Sequence, residues 1–468
     1  MQSLQHKRVV VMGLGRFGGG VGVTRFLVSR GAEVLVTDMA PPDKLRQSMA
    51  QLQDLPVRYR LGEHRENDFV AADLIVVNPA VDQRGNVYLA AARQAGVPTT
   101  SEIRLLVQHL PNRLRTIGIT GSAGKSTTTA MIGHALRKLL VSPSTNGAGE
   151  RVHVGGNIGG SLLERIDDIR PDDWVVLELS SFMLQDMHDD HWSPHIAVIT
   201  NLSPNHLDRH GTLDAYRAAK QVILDHQRQA DGDVAIGGPG VHDVFLNRVS
   251  DFRTFDRPVD WRVEPPIKLL IPGDHNQLNA RLASTAVQAA ITAPQWQSWD
   301  ALADFAGLPH RLQFVAQHAD VRFFNDSKAT TPEAAMLAIG SFAAGIVHVI
   351  LGGSDKGSDF TELAKLARQH CRAIYSIGAT GDRIAAACDA APGPAAVQRC
   401  GTIDIAMQSI VQHYHQGDVV LLSPACASYD QFENYEKRGA SFIEHVLRYT
   451  GEGAPLPRGA GGEALRAG

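Results

Sequence analysis

Short apolar runs alternate with segments of helical period from the start of the chain. RVVVMG (8–13), AEVLVTD (32–38) and DLIVVN (73–78) are near-continuous apolar stretches bounded by turn residues. Such runs predict strands buried on both faces of a parallel sheet, with helices between them. The pattern restarts at LPNRLRTIGIT (110–120) and continues through DDWVVLELS (172–180), HIAVITNLS (195–203) and GDVAIGG (232–238). A third series opens near GLPHRLQFV (307–315) and runs through VRFFNDS, GIVHVILGG, AIYSIGA and DVVLLSPA. The expectation is an α/β chain of three domains: a Rossmann-like N-terminal domain at 1–112, a central parallel-sheet domain at 113–306, and a Rossmann-like C-terminal domain at 307–452. Residues 453–468, rich in Gly, Ala and Pro without apolar period, predict a disordered tail.

Composition narrows the class. Apolar residues make up 44% and charged residues 20% of the 468, the balance of a soluble globular chain. The net charge of −4, with basic and acidic residues intermixed, argues against a nucleic-acid partner. No apolar run reaches the about 20 residues of a membrane span, so no membrane insertion is expected. The N-terminus enters its first strand without a signal-peptide apolar region. The four cysteines form no C-x-x-C pair and predict reduced thiols. The expected location is cytoplasmic.

In open parallel sheets ligands bind beyond the carboxyl ends of strands, so those loops carry the candidate chemistry. MGLGRFGG places G-x-G-x-x-G at Gly13, Gly15 and Gly18, with Asp38 ending the next strand. That spacing suits an NAD site or the diphosphate of another nucleotide, and the motif alone does not choose. TIGITGSAGKSTTT departs from G-x-x-x-x-G-K-[ST] because Ile119 stands where the first glycine belongs. Strand, glycine loop, Lys125, Ser126 and helix start nevertheless follow the order that binds phosphate, with Ser126 a ligand for Mg²⁺. Glu178, at the end of WVVLEL, predicts a magnesium ligand or a water anchor. NLSPNHLDRHG gathers His206, Asp208 and His210, and Lys220 lies on the next helix. His206 and His210 have H-x-x-x-H spacing but straddle a glycine-bounded loop rather than a helix face, and lack a third ligand, which argues against zinc. DSKATTP, GGSDKGSDF and SPACASYDQF each follow a strand and supply lysines and hydroxyls suited to a carboxylate substrate.

These blocks together resemble the Mur ligases, most closely their MurD type: TGSAGKSTTT, VGGNIG, LELSSF, NHLDRHG with YRAAK, GDHNQLN, LPHRLQFV, NDSKAT, LGGSDKG and SPACASYDQFENYEKRG. The resemblance runs from about residue 116 to 442 and is looser before that. It accounts for the displaced glycine, since this family uses a shorter G-x-x-G-K-[ST] loop. It implies an ATP-dependent amide ligase that adds D-glutamate to UDP-N-acetylmuramoyl-L-alanine through an acyl phosphate, in peptidoglycan precursor synthesis, acting as a monomer.

Carried over by position, Gly121, Ser122, Ala123, Gly124, Lys125, Ser126, Thr127, Asn276, Arg311 and Asp326 would bind ATP. Lys125, Glu178, His206 and Lys220 would be catalytic. Ser126, Glu178, His206 and Lys220, the last carbamylated, would hold two Mg²⁺ ions. Gly15, Arg16, Asp38, Asn157 and His206 would contact the UDP-muramoyl substrate, with Asp38 facing the uracil. Lys328, Thr330, Lys356, Ser423 and Phe432 would surround the glutamate. Four departures stand out: Phe17 in the first glycine loop, Asn78-Pro79-Ala80 for Ser-Pro-Gly, Ala123 for Asn, and Thr331 for Asn. Arg16 is expected to supply a compensating phosphate contact. Rival readings are a relative adding L-glutamate or another amino acid, an inactive nucleotide-binding regulator, and an NAD enzyme fused to an ATPase.

Overall fold

The apolar runs form the strands of three sheets in the computed structural model, which describes residues 3–15, 18–140, 151–245, 252–254, 265–354 and 357–451. At 207–208, 242–243 and 252–254 only the backbone is described. Arg16, Phe17, Lys356 and the 453–468 tail, all named above, lie outside the described residues.

The first sheet contains β1 (Arg8–Met12), β2 (Glu33–Asp38), β3 (Arg58–Leu61), β4 (Leu74–Val77) and β5 (Thr99–Thr100), in spatial order β3-β2-β1-β4-β5. All its pairings are parallel. The second contains β6 (Thr116–Thr120), β7 (Val152–Gly156), β8 (Trp174–Glu178), β9 (Ile196–Ile199), β10 (Val234–Gly237) and β11 (Phe252–Thr254). Its order is β11-β10-β9-β6-β8-β7, again parallel throughout. The third contains β12 (Gln313–His318), β13 (Val321–Asn325), β14 (Val347–Gly352), β15 (Ala373–Ile377), β16 (Ala396–Gly401) and β17 (Val419–Leu422), ordered β12-β13-β17-β14-β15-β16. Only its edge strand β12 runs antiparallel.

The described residues of 1–265 and 279–298 form one compact unit, and 266–278 with 299–451 form another. In the first, one apolar core joins Val9, Val11 and Val36 to Val175, Leu177 and Ile199, so the first two sheets share their packing. In the second, both faces of the third sheet are covered, one by a core around Val349, Leu363 and Leu421 and the other by one around Tyr375, Ile410 and Phe442. The central strands of the second and third sheets are buried end to end, and β1 of the first is buried beyond Arg8, which explains their near-continuous apolar sequences.

The connections set the site. Successive strands switch from one side to the other at β1 in the first sheet and at β6 in the second, and a crevice opens at the carboxyl end of a sheet at such points. The two glycine loops follow those two strands.

Candidate active site

The loop after β6 is fixed by its neighbours rather than by itself. Ser122 N–H donates to Asn201 O (3.0 Å) and Ala123 N–H to Asn201 Oδ1 (3.0 Å). Ser122 Oγ donates to Ser203 O (2.8 Å), accepts from Ser203 N–H (2.9 Å) and meets the Tyr216 hydroxyl (2.9 Å). Two positions demand glycine. Gly121 has φ +144, and a Cβ there would meet Thr200 Oγ1 at 2.0 Å. Gly124 has φ +83, and a Cβ there would meet Asn279 Oδ1 at 2.4 Å. The short loop is therefore an intact device, closed by Thr200, Asn201 and Asn279. The helix Lys125–Leu140 begins at its end, aiming its positive terminus at the crevice. Lys125 Nζ donates to the carbonyls of Gly121 (3.0 Å) and Ser122 (3.2 Å). Ser126 is half-buried at the helix start, and Thr127 is buried behind it.

Lys220 reaches the same loop from the helix Leu213–Asp225. Its side chain is 1% exposed, and Nζ donates to Gly121 O (2.8 Å) and Thr120 Oγ1 (3.2 Å) above the Tyr216 ring (4.7 Å). Burial, reinforced by the Lys125 charge and opposed by Glu178, lowers its pKa to about 7. Glu178 closes β8, equally buried. Its Oε1 accepts from Asn157 Nδ2 (2.9 Å), while Oε2 is buried with no hydrogen-bond partner among the described residues. A buried carboxylate oxygen left open is costly unless a ligand completes it.

His206 and His210 do not straddle a loop: Leu207–His210 is a single helical turn, and His210 N–H donates to His206 O (2.9 Å). A turn of four residues is too short to register in sequence periodicity. His206, exposed and at φ +51, sets its ring edge-on to Phe182 (5.4 Å). His210 stacks on Phe182 (5.0 Å) and meets Ser181 Oγ (2.9 Å); burial first, then nearby cations, lower its pKa.

In the first sheet, Asp38 is committed to its own loop. Oδ2 accepts from the N–H groups of Leu14 (2.9 Å) and Gly15 (3.2 Å), and Oδ1 from Ala40 N–H (2.8 Å). Asn78 follows the same logic: Nδ2 donates to Gly13 O (3.3 Å) and Oδ1 accepts from Ala80 N–H (3.0 Å), so the Asn-Pro-Ala turn is held by its first side chain.

The second unit has its own cluster at the ends of β13 and β17. Asp326 accepts from Ser423 Oγ (2.7 Å) and Leu312 N–H (3.0 Å), and burial raises its pKa to about 6. Lys328 is exposed, with Nζ 5.6 Å from the Tyr435 ring centre, and Arg311 is exposed nearby in sequence. Thr330 and Phe432 are half-buried, and Asn276 is buried, donating to Pro272 O (2.6 Å). Thr331 caps the helix Pro332–Gly340 through Oγ1 (3.4 Å to Ala334 N), so its exchange for Asn keeps a capping residue. Arg438, buried, had no role on sequence grounds. It donates to the carbonyls of Ser327, Cys426 and Ala427 (2.8–3.1 Å) and to Ser327 Oγ (3.0 Å), clamping the loops after β13 and β17. Asn279, Thr200 and Tyr216 were likewise unassigned; Asn279 lies three residues, one helical turn, beyond Asn276.

Comparison with known proteins finds relatives along nearly the whole chain. Family models match at residues 7–101 (Mur ligase MurD-like, N-terminal domain), 119–237 (Mur ligase middle domain) and 310–426 (Mur ligase, glutamate ligase domain). The chain is 37% identical to the UDP-N-acetylmuramoylalanine--D-glutamate ligase of Koribacter versatilis, covering 95% of this chain and 98% of that one. It is equally 37% identical to the same-named protein of Acidobacterium capsulatum, covering 97% and 98%. The fold is similar to that of Thermotoga maritima UDP-N-acetylmuramate-alanine ligase MurC (TM-score 0.56, 19% identity, 95% of this chain and 100% of that one). It is similar also to MurF ligase of the same organism in complex with ADP (TM-score 0.52, 15% identity, 96% and 100%). With this likeness extending over nearly its whole length, the chain belongs to the Mur ligase family.

Proposed function

We propose that the chain joins D-glutamate to UDP-N-acetylmuramoyl-L-alanine, with ATP cleaved to ADP and phosphate, by way of an acyl phosphate. One observation carries the reading: Lys125 in a glycine loop, a buried Lys220 beside it, and a buried Glu178 with one oxygen open. The names of the relatives support the choice of substrates.

The charges dictate the design. The stem carboxylate must approach an anionic γ-phosphate, so cations have to offset the repulsion. In this reading the loop Gly121 to Thr127 holds the ATP phosphates with the N–H groups from Gly124 onward, at the helix start, and with the Lys125 ammonium, while the N–H groups of Ser122 and Ala123 keep the loop on Asn201. Glu178 Oε2 and Ser126 Oγ, with His206, would hold Mg²⁺. An open, buried carboxylate oxygen fits a hard cation, and no group of three His, Cys, Asp or Glu that could hold a metal is present among the described residues. The Glu178 carboxylate oxygen and the Ser126 hydroxyl are the hard oxygen donors that magnesium would take. Bound there, magnesium would neutralise charge on the phosphoryl oxygens.

The stem carboxylate oxygen then bonds to the γ-phosphorus as the bond to ADP breaks, giving the acyl phosphate. The glutamate amine bonds to the acyl carbon, loses its proton, and phosphate leaves as the amide forms. Asn157 orients Glu178 for the first step. Lys220, unprotonated in part near neutrality, has the free amine that attacks carbon dioxide: an N–C bond forms, a C=O bond of carbon dioxide opens, the nitrogen loses a proton, and the resulting anionic carbamate would anchor a second ion beside the loop. Asn276, Arg311 and Asp326 would take the nucleoside of ATP. Lys328, Thr330, Lys356, Ser423 and Phe432 would take the glutamate, and Gly15 and Asp38 the UDP end. The three sheets would serve as three domains of a cytoplasmic monomer.

The test is phosphate release with ATP, Mg²⁺ and UDP-N-acetylmuramoyl-L-alanine, adding either D- or L-glutamate. Release that needs all components and D-glutamate is expected. Release with neither isomer refutes the ligase, and release with L-glutamate alone refutes the stereochemistry.

A further inference from the structure

The carboxyl ends of β1, β2 and β4 enclose a cleft of about 390 Å³ beside the first glycine loop, walled by Met12, Met39, Val81 and Tyr88. Met39 is one of the few large apolar side chains left exposed, at 61%. An apolar slot beside a diphosphate cradle suits a flat heteroaromatic ring. Four polar side chains also line it: Asp38, Asp82, His64 and Asn86. Two are already committed. Asp38 holds the glycine loop, and Asp82 is held by Arg84 through N–H, Nε and Nη2 (3.1–3.2 Å), which draws its pKa down to about 2. His64 and Asn86 remain.

Asn86 is the N-cap of the helix Val87–Gln94, its Oδ1 accepting from Tyr88 N–H and Leu89 N–H (both 3.1 Å). The cap fixes which end of the amide is oxygen. Nδ2 donates to no group among the described residues, so a pair of N–H donors is left for the cleft. His64 is fixed as firmly. Its ring sits edge-on to Phe69 (5.6 Å) and Tyr88 (5.3 Å), and Nδ1 meets Thr37 Oγ1 at 2.6 Å. Thr37 Oγ1 also donates to Glu63 O (3.2 Å). One hydroxyl proton cannot serve both bonds. Both are satisfied together when Nδ1–H donates to Oγ1, which leaves Nε2 as an acceptor. Burial, partly offset by Asp38, lowers the His64 pKa and so favours this neutral ring.

We infer that His64 Nε2 and Asn86 Nδ2 read the base of the nucleotide, accepting from its ring N–H and donating to its carbonyl, and so select uracil over cytosine. Cytosine presents the opposite pair, a ring lone pair and an amino group, and meets a donor with a donor and an acceptor with an acceptor. The inference rests on the nucleotide substrate proposed above and names the atoms that would check it.

Calorimetric binding of UDP and of CDP to the full chain tests it. The two ligands share one diphosphate, so any change in charge at the site cancels in their ratio. The wild type is expected to favour UDP by about tenfold or more, the worth of one or two hydrogen bonds. Asn86→Asp and Asn86→Ser both keep a good helix cap, so both are expected to retain the melting temperature while the ratio falls towards unity. His64→Phe keeps the ring packing, loses the acceptor and should do the same. Equal binding of UDP and CDP by the wild type overturns the inference, as does a wild-type ratio in the folded Asn86 variants. A failed ligase assay with this preference intact would refute the reaction and leave the base reading standing; ligation with no preference would do the reverse.

Discussion

Replacing Lys220 by Met should make the protein more stable and inactive at once. The Lys220 pKa falls from the ordinary 10.5 to about 7 on folding, chiefly through burial. At pH 7 the folded chain therefore forgoes about 4 kcal/mol relative to a solvated ammonium, by linkage. Met fills a similar volume without that cost, but it deprives Gly121 O and Thr120 Oγ1 of a donor. At roughly 1 kcal/mol for each hydrogen bond, a net gain of about 2 kcal/mol at pH 7 remains. The sign with pH is distinctive. The folded pKa lies below the unfolded one, so the wild type regains stability as pH rises from 7 to 10.5 and the unfolded chain surrenders its proton. Lys220→Met has no such group, so its advantage should shrink by roughly 1 kcal/mol per pH unit and vanish within that window. Urea titrations from pH 7 to 10, in buffer free of carbon dioxide, measure the difference, and a separate ligase assay without urea and with bicarbonate present should show at least about a hundredfold loss. A variant less stable than wild type at pH 7, or a difference that does not change with pH, would refute the reasoning.

Glu178→Gln keeps an acceptor for Asn157 and removes the charge behind the open Oε2. Stability should change by less than about 1 kcal/mol while ligase activity falls at least about a hundredfold and the requirement for Mg²⁺ weakens, read by magnesium titration of initial rates. Gly124→Ala forces a side chain into φ +83 and to within 2.4 Å of Asn279 Oδ1; a loss of about 2 kcal/mol in urea and failure to bind ATP by calorimetry are expected. Asp418 sits at the amino ends of the third sheet, paired with buried His348 (3.0 Å) and with Arg372 (3.1 Å). Asp418→Asn should cost about 3 kcal/mol in urea, as breaking a buried pair does, with kcat unchanged at temperatures where the variant stays folded. The His348 pKa is lowered, chiefly by burial, so its share of stability is present above pH 6.5 and lost as pH falls below that value towards the folded pKa.

The strands that sequence reveals are those with both faces covered. VVLL and VHVILG could hardly be anything else, whereas RYRL and AVQRCG, at sheet edges and only partly buried, carry no such signature. The site divides in the same way. Lys125 and Glu178 stand out because a lysine in a glycine loop and an acid at a strand end are what phosphate chemistry calls for, whereas Lys220 is marked only by the resemblance to the Mur ligases. What holds them comes from distant parts of the chain. Asn157 on Glu178, Asn279 against Gly124, Tyr216 beneath Lys220 and Arg438 across two loops become visible only when the sheets bring them together. Asp38 shows the opposite limit. Its spacing marks an acid at a nucleotide loop, but not that one of its oxygens holds that loop and the other the turn after β2.

The most direct measurement is the mass of the product formed from UDP-N-acetylmuramoyl-L-alanine, ATP and isotopically labelled D-glutamate. One labelled glutamate joined by loss of water, with one ADP and one phosphate formed for each, is the predicted result. An unchanged UDP substrate, with ATP hydrolysed or untouched, would contradict the account.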